Sequence, residues 1–137
     1  MMLALNAVLA TQWAIDAPYL QTILEVAARE NTLTPEAVAA KLGRPLENTR
    51  AVLIRDGVAI IPVTGPIFPR ANLFTQVSGG TSVDVMARDF HAALDDPAVR
   101  AILLDVDSPG GQATGVNELA NMIHAARGDK PITAYVS

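Results

Sequence analysis

The chain has 137 residues, 50% of them hydrophobic, and a formal net charge of −4. The acidic balance and the lack of a basic tract exclude nucleic acid as the main partner. The absence of cysteine excludes disulfides, thiolate catalysis and cysteine-ligated metal.

The apolar start, Met1–Ile15, has no lysine or arginine ahead of it and is interrupted by Asn6 and Gln12, so it does not read as a secretory signal. No stretch reaches the length of a membrane span. A soluble, cytoplasmic protein is expected. Trp13 and Ile15 would anchor a lead-in segment. Asp16 ahead of Pro18 starts a helix over about 18–30, with Leu20, Ile23, Leu24 and Ala27 at helical spacing. Thr34-Pro35-Glu36 opens a second helix, which Gly43 closes. These two helices predict an N-terminal helical hairpin occupying 1–50, ahead of a main domain over 51–137.

In the main domain, Ala51–Arg55 and Val58–Val63 flank Asp56-Gly57, a strong hairpin signal. Pro62 lacks a ladder donor and suits an edge or a bulge. Thr64–Gly80 reads as a long loop, in which Phe68 and Phe74 either line a groove or tuck onto the core. Thr81 or Ser82 caps a helix of about 82–94, with Val83, Met86, Ala87, Phe90 and Leu94 as its buried stripe. Arg100–Val106 is a near-continuous apolar strand, expected to be covered on both faces. A helix of about 114–127 follows, with Val116, Leu119, Ala120 and Ile123 inward, and Ile132–Val136 is another strand. Strands alternating with helices predict right-handed crossovers and a mostly parallel α/β sheet.

The stretch Leu103–Gly111, LLDVDSPGG, carries the candidate chemistry. A strand ending in Ser108-Pro109-Gly110-Gly111 just before a helix would present main-chain N–H groups to a phosphate or an oxyanion. Gly110 and Gly115 have P-loop spacing, but Val116-Asn117 stands where Lys-Ser/Thr is required. Asp105, Asp107 and Gly110 imitate a calcium loop, but Val116 replaces its bidentate glutamate, and the bare aspartate pair more simply bonds the turn. No metal and no cofactor are therefore expected. His91 and His124 sit at the solvent edges of helices without a recognisable nucleophile turn. Lys41 and Lys130 read as solvated. An oxyanion hole and a plain tight turn remain, evenly weighed.

The segment from Val99 to Gly111, VRAILLDVDSPGG, resembles the hallmark of the S49 serine peptidases. That family includes the signal peptide peptidase A group and the phage capsid-assembly (protein C-like) proteases. Gly57–Ile67 is similar to its opening strand, and Asp95-Asp96-Pro97-Ala98-Val99 to its lead-in. The likeness covers about 57–137, and the N-terminal helices look like the soluble prophage branch. It implies a ClpP/crotonase-like fold, here partial, and peptide hydrolysis by a Ser–Lys dyad. Gly111 would supply an oxyanion-hole N–H, with Gly110 shaping the turn. Ser108 matches the motif serine, which is not the family's nucleophile, and Ser137 lacks the nucleophile's context. The nucleophile and base would lie beyond this chain, leaving it inactive alone. A polypeptide substrate and a homo-oligomer are the implied partners. A non-catalytic assembly module with the same fold is the runner-up. A crotonase-type acyl-thioester enzyme is a third option, which the SPGG lead-in disfavours.

Overall fold

The computed structural model describes residues 3–29, 50–71 and 79–137. The expected helix from Thr34 to Gly43, Lys41 and Phe74 lie outside them. The elements in order are α1 (Leu3–Leu9), β1 (Trp13–Ile15), α2 (Ala17–Arg29), β2 (Leu53–Arg55), β3 (Val58–Thr64), β4 (Ile67–Phe68) and β5 (Thr81–Ser82). There follow α3 (Val83–Asp95), β6 (Ala101–Asp107), β7 (Gly110–Gln112), α4 (Val116–Ala125), a 3-10 turn (Ala126–Gly128) and β8 (Ile132–Val136). They form a mixed α/β structure with two four-stranded sheets, ordered β2-β3-β6-β8 and β1-β7-β4-β5. The β3–β6, β6–β8, β4–β5 and β4–β7 pairs are parallel, and β2–β3 and β1–β7 are antiparallel.

The Asp56-Gly57 hairpin forms as its sequence predicts, with φ of 51° and 79° at the two turn residues. Such angles require a residue tolerant of positive φ. A Cβ on Gly57 would also lie 2.6 Å from the Arg100 Nε. Pro62 stands within β3, opposite Asp105 of β6. The Gly57 carbonyl accepts from Arg100 N–H, and Gly65 N–H donates to the Asp107 carbonyl. Odd-numbered residues of β3 therefore bond β6, and the proline's missing donor falls on the other side. There β2 has already ended, since its register stops at Leu53 opposite Ile60.

The main core gathers Ile61 and Val63 of β3, Ile102 and Leu104 of β6, and Met86 and Phe90 of α3. The stripe of α3 forms as expected in Val83, Met86 and Phe90, while Ala87 and Leu94 are only half-buried. Ser82 occupies the N-cap position but makes no side-chain cap bond. Strand β6 alternates between buried and half-buried positions, so one face is packed and the other only partly covered, against the expectation of two covered faces. Helix α4 departs further. None of its residues is buried, and Val116 and Ala120, expected inward, are exposed. Leu119 and Ile123 do face inward, half-buried against the main core, so only part of the expected apolar face is covered.

A second cluster joins Val8 of α1, Ile23 and Ala27 of α2, and Phe68 of β4, with Trp13 and Ile15 packed against it. Phe68 is thus a core residue, its ring edge-on to Trp13 at 6.0 Å between centroids. Helix α2 matches its expected bounds closely, whereas α1 and β1 are additions to the sequence reading. Among the described residues no helix is long and apolar enough to cross a membrane.

Candidate functional site

The parallel strands β3 and β6 end side by side, at Thr64 and Asp107. In open α/β sheets ligands gather at the carboxyl ends of such strands. Three bonds fix the two turns that leave this edge. Gly65 N–H donates to the Asp107 carbonyl at 2.9 Å. The Ser108 hydroxyl donates to the Gly65 carbonyl at 2.7 Å and lies 3.2 Å from Gly110 N–H, which donates to it. The Thr81 hydroxyl donates to the Thr64 carbonyl and accepts from Thr64 N–H, both at 2.9 Å, which ties the two sheets together. Ser108 therefore clamps the SPGG turn to the β3–β4 turn, and its proton is committed to a main-chain oxygen.

The glycine pair does not sit at a helix N-terminus, as the sequence suggests. Gly110 and Gly111 begin β7, and α4 starts only at Val116, after a left-handed Gly115. Gly110 has φ of 105°. A Cβ there would collide with the Ala14 main chain, and one on Gly111 with the Ile67 main chain. Both glycines are thus required by backbones approaching from two sides, β1 on one and β4 on the other. The register pairs Ala14 with Gly111 and Ile15 with Gly110. Flanking this ladder, Asp16 N–H donates to the Pro109 carbonyl and Ala113 N–H to the Gln12 carbonyl, each at 3.0 Å. Bonded pairs alternate along an antiparallel ladder, so Ala14 and Gly111 form the bonded pair between these two.

Beside the turn lies a cleft of about 720 Å³. Tyr19 and Ile23 of α2, Arg50, Pro66, Asp107 and Ser108 line it. Its charged groups are one guanidinium and the Asp16 and Asp107 carboxylates.

The other polar candidates do not join this site. His91 is exposed on α3, with its ring edge-on to Phe90. His124 is exposed on α4 and contacts Arg127. Among the described residues, no three His, Asp or Glu side chains come together as a metal site. Lys130 is not simply solvated. Its ammonium donates to the Ala93 carbonyl at 2.9 Å and the Asp96 carbonyl at 2.7 Å, at the C-terminal end of α3. Ser137 has its N–H on the Val106 carbonyl at 3.0 Å, which extends the β6–β8 pairing.

This clamped glycine strand belongs to a chain with two phage homologues. One is the head-tail preconnector protein GP5 of Enterobacteria phage P21, 40% identical over 85 residues. The other is the capsid assembly protease C of Escherichia phage lambda, 34% identical over 88 residues. The matches take in 62% and 64% of this chain but only 17% and 20% of those proteins, so the chain spans about a fifth of their length. No family model matches the chain. Trp13–Ile15 and its pairing with β7 are what sequence reasoning missed. Trp13 and Ile15 on either side of Ala14 gave the only signal, a period of two over three residues.

Proposed function

We propose that this chain is part of a serine-type peptidase of the S49 kind, with a ClpP/crotonase-like fold, that processes capsid polypeptides during phage or prophage assembly. Gly111 supplies an oxyanion-stabilising N–H, Gly110 sets its direction, and the nucleophilic serine and its lysine base come from outside these residues. The observation that carries the reading is the SPGG turn. It stands at the carboxyl ends of two parallel strands, is clamped by Ser108 to Gly65, and opens beside a cleft. Fixed main-chain donors of this kind lower the cost of charge on a tetrahedral intermediate. The name of the lambda relative, a capsid assembly protease, supports the same substrate class.

The chain alone should hydrolyse no peptide in a mixed peptide library, while the protein translated from its whole reading frame should hydrolyse peptides and react with a fluorophosphonate. Hydrolysis by the chain alone that disappears in Ser108→Ala would give Ser108 the nucleophile's role and overturn this assignment. A whole-frame protein that neither hydrolyses nor labels would favour a second reading, a non-catalytic oligomerising assembly module. That reading draws on the other relative, which is named a head-tail preconnector protein.

A further inference from the structure

The donor assigned above to the oxyanion is already engaged. In the β1–β7 ladder Gly111 N–H faces the Ala14 carbonyl as one of the bonded pairs. We infer that the chain's own Trp13–Asp16 segment is a displaceable occupant of the edge of β7 that it covers, and that it gives way there to an incoming extended polypeptide. For its meaning in catalysis this rests on the peptidase reading; as a binding site it does not.

The edge reads main chain. Apart from the ladder itself, the contacts holding the occupant to β7 and its flanks are Asp16 N–H to the Pro109 carbonyl and Ala113 N–H to the Gln12 carbonyl. Gly110 has no room for a side chain against the Ala14 main chain, so the strand is built for close approach of a second backbone. Strand addition of this kind draws affinity from main-chain bonds and selectivity from alternate side chains. The occupant shows which side chains fit. Trp13 and Ile15 pack toward Phe68, while Ala14 between them is exposed. Phe68 belongs to β4 and stays with the sheet when β1 leaves. The partner is therefore an extended peptide with large apolar residues two apart.

The occupant is also held by a shorter ladder than the β3–β6 core. Strand β1 has three residues and ends the order β1-β7-β4-β5, whereas β3 and β6 pair over seven positions inside the other sheet. Short edge strands open locally at lower free energy than a core ladder.

Amide hydrogen exchange by NMR on the full chain tests this, with a capped peptide copying residues 11–17 as the probe. Without peptide, the Ala14 and Gly111 amides should exchange together, on the order of 100-fold faster than those of Ile102 and Leu104. With millimolar peptide, Gly111 should slow about tenfold while Ala14 exchanges faster, because the peptide protects one side of the ladder and frees the other. Equal protection of Gly111 and Leu104, with and without peptide, would overturn the inference. So would a Gly111 amide that opens but is not protected by peptide. Hydrolysis is not read, so loss of the peptidase activity leaves this result standing, and a permanently seated β1 leaves the hydrolysis assay to decide the other reading.

Discussion

Thr81 is buried, and its hydroxyl satisfies both the N–H and the carbonyl of Thr64. Thr81→Val keeps the volume and removes both bonds, leaving two main-chain groups unpaired at the joint between the sheets. The expected loss is about 2 kcal/mol, read as a lower urea midpoint at unchanged slope, and Thr81→Ser should recover most of it. Ser108→Ala removes the bond to the Gly65 carbonyl and the acceptor for Gly110 N–H. A loss of about 1 kcal/mol is expected, because the site is only half-buried and water can replace one partner. A Ser108→Ala protein as stable as the parent would show that the clamp does not hold the turn. At this scale the sequence was legible in part. SPGG announced a tight turn with unusual backbone. It could not announce that Ser108 reaches Gly65, 43 positions away, or that Lys130 reaches the end of α3.

Among the elements, those with a long side-chain pattern were legible. The hairpin, α2, α3, β6 and β8 lie within a few residues of their expected bounds, because helical spacing, or a run rich in apolar and β-branched residues, extends over five or more positions in each. The three-residue strands β1 and β7 were not legible. Gly110-Gly111-Gln112 carries no apolar alternation, and its pairing is a property of the main chain. The same holds for the supposed helix start at the glycine pair, which becomes a strand because two other backbones lie close enough to pair with it. Helix α3 ends at Asp95, with the Lys130 ammonium on the Ala93 and Asp96 carbonyls at that end. Lys130→Met keeps the aliphatic stem and loses that cap, so a decrease of about 1 kcal/mol in unfolding free energy is expected from thermal or urea melts. An unchanged melt would assign the contact to surface decoration.

For the whole molecule, the two sheets meet differently with their surroundings. In the sheet β2-β3-β6-β8, the outer strand β8 has four exposed residues of five, and Tyr135 and Val136 are 61% and 71% exposed. An apolar strand edge of this kind pairs with other chains. Light scattering should find concentration-dependent association, and Tyr135→Lys should reduce it; a monomer at high concentration in both proteins would contradict the expectation. At the other sheet the edge strand β1 covers the glycine strand. It carries Trp13, the one tryptophan in the chain, with the indole N–H bonded to the Val8 carbonyl at 2.9 Å. Tryptophan emission, excited selectively over the two tyrosines, therefore reports the surroundings of that strand against Phe68 rather than the β3–β6 core. On titration with denaturant, emission should shift to the red before the far-ultraviolet circular dichroism falls. Coincident curves would mean that strand and core come apart as one cooperative unit.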